Sequence, residues 1–304
     1  NFVSMIRIDH WFKNIFVFPG IIFAILLTDE TFKFQNTFYY LGLLFSICLI
    51  ASSNYLINEY LDSKFDKYHP VKKNRPAVKN KFKLIHVLII YFSLIVSSFI
   101  IAYDANLKFK LLLLLLLVMG VLYNVNPIRL KDKPYLDILS ESLNNPIRLL
   151  LGWYLVSDAI LPPSSLILSF WMGGAFLMTI KRFAEIRSVK KNYLNKYRTS
   201  FKYYTENLLL LKSFFYSLMT AFFLGIFLIK YRIEYLITFP FLSLLFVYYL
   251  SIGLSKNSIT QTPEKLYKNK YLNLIVILNV IVFLISTIFD FNNLEILTKS
   301  INFD

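Results

Sequence analysis

The run Ile57-Asn58-Glu59-Tyr60-Leu61-Asp62-Ser63-Lys64-Phe65-Asp66 gathers one amide and three carboxylates able to do chemistry. Asn58, Asp62 and Asp66 recur every four residues. On a helix each four-residue step advances by about 40°, so the three form one stripe. Glu59, three residues before Asp62, reaches the same face. Acids crowded at the end of an apolar run repel one another unless a cation sits among them. Hard oxygen ligands without Cys or His suit Mg²⁺, which keeps waters and shares its shell with substrate phosphate. The expected metal ligands are therefore Asn58, Asp62 and Asp66. Directly after them the chain reads KYHPVKKNRP, a basic loop pinned by prolines. Acids to hold the metal and Lys72, Lys73 and Arg75 to hold phosphate oxygens are what a diphosphate–Mg²⁺ ligand needs. Arg75 is best suited to a bidentate phosphate contact. A solvated helix end would account for one acid, but not for the whole string.

A second charged set opens with Lys181, Arg182, Glu185 and Arg187. Farther along, Lys190, Lys191, Lys196, Arg198 and Lys202 read as ordinary juxtamembrane bases. Arg148 stands deep in an apolar run, after Asn144, Asn145 and Pro146. An arginine at such depth costs about 2.5–3.5 kcal/mol on insertion scales, so it should face a cavity or a partner. Its expected partner is Asp137 or a substrate phosphate; a structural ion pair is the bland alternative. Tyr123, Arg129 and Lys131, with Lys13 and Asn14, complete a polar rim. His10, His69 and His86 are scattered, so no zinc site is expected. Cys48 is the single cysteine and reads as an inert, buried thiol.

The elements that must position these groups are membrane helices. The chain is 57% hydrophobic, with mean hydropathy +0.55, yet carries 33 Lys and Arg clustered between apolar runs. Residues 111–117 are all leucine. Nine apolar runs follow, at 14–28, 37–57, 84–102, 107–124, 137–157, 161–180, 208–229, 234–253 and 271–290. Most approach the ~20 residues that span hydrocarbon. The first is short and holds Pro19-Gly20, so it is expected to be kinked or extended by residues before Asn14. The expected fold is all-α: one polytopic nine-helix transmembrane bundle over 1–304, with charged loops at about 58–83 and 181–207. No cleavable signal peptide is expected, since Trp11, Lys13 and Asn14 stand where one needs small residues.

Basic residues set the orientation. With the N-terminus inside, the outside segments would hold only Lys33, Lys108, Lys110, Lys230, Arg232 and Lys299. The N-terminus and both charged loops are thus expected in the cytoplasm and the C-terminus outside. The net charge of +15 belongs to the face against the bilayer. With no groove-reading motif, a nucleic-acid partner is excluded. The oligomeric state, a homo-oligomer included, is left open.

NEYLDSKFDKYHPVKKNRP resembles the N-D-x-x-D-x-x-x-D motif of the UbiA superfamily of intramembrane prenyltransferases. Its continuation through His69-Pro70, Lys72 and Arg75-Pro76 is similar to the decaprenyl-phosphate phosphoribosyltransferase branch. Arg7, Trp11, Lys13 and Asn14 match that branch's opening R-x-x-x-W-x-K-N. The stretch 123–152 resembles its central segment, with an arginine at the place of Arg148. Lys181-Arg182-Phe183-Ala184-Glu185 matches its K-R-Y-A-E, and Tyr204-Thr205-Glu206 a downstream motif. The likeness covers about the first two-thirds of the chain, and Glu59 stands where the family has Asp. Prenyl-diphosphate enzymes of the superfamily carry a second acid-rich motif after span six. Here two bases and one acid stand there, which favours a donor with extra phosphate charge.

The resemblance implies Mg²⁺-dependent transfer of 5-phosphoribose from phosphoribosyl pyrophosphate to a polyprenyl phosphate, in the inner membrane of a bacterium. Asn58, Asp62 and Asp66 would hold the metal, with Glu59 in support. Lys72, Lys73, Arg75, Lys181 and Arg182 would bind donor phosphates. Arg148, Lys13 and Lys131 would meet the acceptor phosphate, and Asn14, Tyr123, Asp137 and Glu185 would complete the site. The alternatives are transfer of an isoprenoid from its diphosphate to an aromatic acceptor, and a lipid-phosphate transporter or flippase. The second leaves the metal-type acids unexplained and should show polar residues at matched depths in two halves.

Overall fold

The computed structural model describes residues 2–28, 30, 34–255, 258–289 and 291. Lys33 and Lys299 of the charge pattern, and residue 290 at the end of the last expected span, lie outside them. Among the described residues all regular structure is helical. The first apolar run is extended as expected: a 3-10 segment over Ile8–Phe16 runs into helix α1, Val17–Leu27. Helix α2, Thr37–Asp66, continues without a break through the acid string. Helices α3 (Leu84–Ile101) and α4 (Leu107–Asn124) follow.

The run expected as a fifth span is divided into α5, Leu136–Ser142, and α6, Asn144–Val156. Pro146 has no N–H to offer the carbonyl of Ser142, which weakens the ladder there. Leu143 keeps helical dihedrals, φ −60° and ψ −21°, and carries the chain across. The remaining helices are α7 (Ser164–Ser188), α8 (Glu206–Tyr231), α9 (Phe239–Leu254) and α10 (Lys270–Ile288). Eight stretches among the described residues are long and apolar enough to cross a membrane. The expected nine unbroken spans are therefore eight and one divided run.

Side-chain caps start several helices: Asn106 Oδ1 accepts from Phe109 N at 2.7 Å, and Asn269 Oδ1 from Leu272 N at 3.0 Å. The bundle is tightest where α1 crosses α6. A Cβ on Gly20 would lie 1.9 Å from the Leu149 carbonyl oxygen, and one on Gly152 1.9 Å from that of Val17. Only glycine lets these backbones approach so closely. Trp153, Phe109, Leu113 and Ile47 fill the core beside this crossing. The outward faces are apolar too, with Phe38, Ile100 and Ile288 fully or largely exposed, as helices facing lipid require.

Candidate active site

The helices enclose a cavity of about 1740 Å³. One end is lined by the ionic groups at the ends of α2 and α7, the other by apolar side chains of α1, α8, α9 and α10, such as Phe23, Leu224, Leu242 and Phe283. The first and last helices touch at Phe23–Phe283, ring centroids 5.7 Å apart. Nearby cavity-lining residues Ile22, Val276 and Val280 are exposed on the outer surface. A long apolar chain can thus lie between the helices while its polar head meets the charges.

At the end of α2 the acids are already matched by bases. Asp62 pairs with Arg129 at 2.9 Å and with Lys131; Asp66 pairs with Arg75 at 2.6 Å. Lys131 is 2% exposed and also donates to Asn124 Oδ1 at 2.8 Å. Burial pushes its ammonium down to about 8, against the pull of Asp62. Asn58 donates to the same Asn124 oxygen. Arg129 and Arg7 both sit in left-handed backbone, φ 30° and 55°. Such strain is tolerated where the surroundings over-determine it. Glu59 is buried; its Oε1 accepts from Ala77 N at 3.3 Å, while Oε2 lies 3.6 Å from the Arg7 guanidinium and has no hydrogen-bond donor among the described residues.

Among the described residues no three His, Cys, Asp or Glu side chains converge as a metal cage. A divalent ion here would draw on the Asn58 amide, waters and substrate as well as carboxylates. The donor set, all hard oxygens with one buried carboxylate oxygen at Glu59 that has an ion-pair partner but no hydrogen bond among the described residues, fits Mg²⁺ in its chemistry.

The two charged loops meet. Lys72 Nζ donates to Glu185 Oε1 at 2.7 Å and to the Tyr197 hydroxyl. Tyr68 packs on Tyr193 with centroids 5.5 Å apart, and His69 on Tyr197 at 4.8 Å. Burial drops the His69 imidazole to about 3, so the ring is neutral. Behind the loops Arg182, 1% exposed, is held by three carboxylates: Asp137 at 3.2 Å, Glu141 at 2.8 Å and Glu185 at 2.8 Å. Its Nη2 also donates to the Tyr123 hydroxyl at 2.9 Å, and that hydroxyl donates to Glu141 Oε2 at 2.6 Å. Arg182 therefore orders the acids, while Lys181, 3.6 Å from Glu141, lines the cavity beside it.

Arg148 is buried in the cavity wall as its depth predicts. Its partner differs from the expected Asp137. Nε donates to Asn14 Oδ1 at 2.8 Å and Nη1 to the Asn144 carbonyl at 3.2 Å. Among the described residues it has no carboxylate partner. Asp137 is taken instead by Arg182, by Arg198 at 3.6 Å, by Ser200 and by the Tyr204 hydroxyl.

Of the expected site residues, Lys13, Asn58, Glu59, Asp62, Lys72 and Arg75 line the cavity, as do Tyr123, Arg148, Lys181 and Arg182. Asn14, Asp66, Lys131, Asp137 and Glu185 stand one contact behind them. Lys73 is exposed and joins neither group. Sequence reasoning passes over Glu141 and Arg198, both in the cavity wall. The intramembrane-charge rule that singles out Arg148 applies equally to Glu141 in the same run. Arg198 resembles its neighbours in a basic loop and carries no separate signal.

Residues 16–277 match the sequence model of the UbiA prenyltransferase family. A decaprenyl-phosphate phosphoribosyltransferase from Mycolicibacterium smegmatis is 25% identical over 208 residues, 68% of this chain. The match spans 63% of that relative, less than two thirds of its length. A UbiA homolog from Archaeoglobus fulgidus, solved bound to GPP and Mg²⁺, has a TM-score of 0.68 at 16% identity, covering 94% of this chain and 99% of that one. A digeranylgeranylglyceryl phosphate synthase has a TM-score of 0.65 at 16% identity over 94% and 97% of the two chains. At that identity the likeness is one of fold.

Proposed function

The chain belongs to the UbiA prenyltransferase family of membrane-embedded transferases, and from that premise we propose that it transfers 5-phosphoribose from phosphoribosyl pyrophosphate to a polyprenyl phosphate. The observation that carries this is the collection of bases from both loops at one end of the cavity: Lys72 and Arg75 from the first, Lys181 and Arg198 from the second. A donor with a 5-phosphate as well as a diphosphate matches that charge. The relative from M. smegmatis, named for this activity, supports it.

A phosphate oxygen of the lipid attacks the anomeric carbon, the bond to the diphosphate oxygen breaks, and pyrophosphate leaves with inversion. The attacking phosphate is already ionised near neutral pH, so no strong general base is required. Arg75 and Lys72 bind the leaving pyrophosphate, and Lys181 with Arg198 takes the 5-phosphate. Arg148, buried without a carboxylate, and Lys13 bind the acceptor phosphate, whose tail runs into the apolar end. Lys131 is committed to Asp62 and acts by positioning it. Asn58, Asp62 and Asp66, with Glu59 in support, would hold Mg²⁺, which when bound neutralises charge growing on the leaving group. The Mg²⁺ in the A. fulgidus structures supports a divalent metal. The site faces the cytoplasm, in a bacterial inner membrane.

The test is a donor screen with purified protein and radiolabelled phosphoribosyl pyrophosphate, offered polyprenyl phosphates, beside prenyl diphosphates offered aromatic acceptors. Label appearing in a polyprenyl-linked phosphoribose is expected. Transfer of the isoprenoid alone would overturn the phosphoribosyl donor in favour of a conventional prenyltransferase.

A further inference from the structure

His69 stands in the first loop with 1% of its surface exposed, and its ring forms part of the cavity wall. The Nδ1 atom accepts two backbone hydrogen bonds, from Val71 N at 3.1 Å and Lys72 N at 3.2 Å. An atom that accepts carries no proton, so in the neutral ring the proton is on Nε2. That Nε2–H is buried and has no hydrogen-bond partner among the described residues. Leaving a buried donor unmatched forfeits its hydration with no return, so such a group in a native protein calls for an explanation, a functional role among them.

The surroundings say what the acceptor is. Of the charges acting on the ring, Lys72 comes first and Glu185 opposes it next, followed by Arg75 and Lys181. Glu185 is itself taken up by Lys72, Arg182 and the Tyr197 hydroxyl. Three cations against one anion around the ring suit an anionic oxygen there, although each of the three also meets a carboxylate. On the opposite side of the ring, the Nδ1 bonds fix the turn that presents Lys72. One side chain thus braces the basic loop with one nitrogen and holds an unmatched neutral donor in the other.

Resting on the reading that the polar end of the cavity takes a phosphorylated donor, we propose that His69 Nε2–H donates a hydrogen bond to a phosphate oxygen of that donor's diphosphate. A neutral donor among bases adds direction without adding further charge, which helps pyrophosphate leave once the glycosidic bond has formed. The chemistry is that of a diphosphate, common to phosphoribosyl pyrophosphate, a prenyl diphosphate and inorganic pyrophosphate.

Two substitutions separate the nitrogens. His69→Asn keeps an acceptor near Nδ1 for the loop and removes the cavity donor. His69→Gln can place an amide N–H near Nε2 and loses the loop acceptor. Affinities of purified protein for phosphoribosyl pyrophosphate, geranyl diphosphate and inorganic pyrophosphate are measured by calorimetry, with thermal melting of each variant. His69→Asn is expected to melt near wild type and to weaken whichever diphosphates the wild type binds by about tenfold or more. His69→Gln is expected to recover part of that affinity at a lower melting temperature. Wild-type affinity in His69→Asn, or binding of none of the three ligands by the wild type, overturns the proposal. Binding of geranyl diphosphate but not phosphoribosyl pyrophosphate would overturn the proposed function and leave His69 to be judged on the ligand that binds. Should His69→Asn not fold, ¹⁵N-histidine labelling of the wild type decides. The Nε2–H proton of His69 should move downfield on adding pyrophosphate, and an unmoved signal refutes the contact.

Discussion

Replacing Arg182 with alanine removes the cation at the centre of the buried network beneath the cavity. Its guanidinium meets Asp137, Glu141 and Glu185 at 3.2, 2.8 and 2.8 Å and is 1% exposed. Breaking a buried pair costs about 3–5 kcal/mol, because it strands the remaining charge. Here each stranded carboxylate keeps a second cation. Glu185 keeps Lys72 at 2.7 Å, Asp137 keeps Arg198 at 3.6 Å, and Glu141 keeps Lys181 at 3.6 Å. The loss therefore falls at the low end, about 3 kcal/mol. Against a total stability of about 5–15 kcal/mol, that leaves a folded but less stable protein. The assay is thermal unfolding in detergent, followed by a thiol-reactive dye at Cys48, the single cysteine. Arg182→Lys should recover only part of the loss, since an ammonium cannot fork to three acids. Adding Lys72→Ala to Arg182→Ala strips Glu185 of both cations, so the double variant should lose more than the sum of the singles. An unchanged melting temperature in Arg182→Ala, or strict additivity in the pair, would refute the network.

At the metal site, Asp62→Asn and Asp66→Asn should each abolish turnover while the protein still elutes as a folded species. Near-normal rates in both at limiting Mg²⁺ would remove the ligand assignment. Arg148→Gln should raise the apparent KM for polyprenyl phosphate by about tenfold or more and leave donor affinity unchanged; an equal loss for both substrates would place Arg148 in the scaffold. Gly20→Ala puts a Cβ 1.9 Å from the Leu149 carbonyl oxygen. It should therefore cost about 1–3 kcal/mol in the same melting assay, and a neutral result would mean that the α1–α6 crossing yields more readily than this contact implies.

The stripe of Asn58, Asp62 and Asp66 is legible in the sequence alone, because helix geometry by itself sets which side chains share a face four residues apart. The long apolar runs are legible for a similar reason: hydrocarbon admits backbone only with its hydrogen bonds made internally, so length and composition nearly suffice. The same rule places Arg148 in a cavity wall. It cannot say that Asn14, 134 positions away in sequence, is its partner rather than Asp137. Asp137 and Arg148 lie in one apolar run, yet eleven residues of nearly continuous helix hold them about 16 Å apart, and Asp137 ends among Arg182, Arg198 and Tyr204. Likewise Arg182 reads in sequence as one of two adjacent loop bases. Only packing shows that its neighbour Lys181 lines the cavity with it but that Arg182 is consumed by three carboxylates. Spacing along one helix is a local property, carried by the backbone. Which charge neutralises which is decided between segments, where burial leaves most ions beside whatever opposite charge the assembled bundle brings to them and leaves Arg148 with neutral oxygens alone.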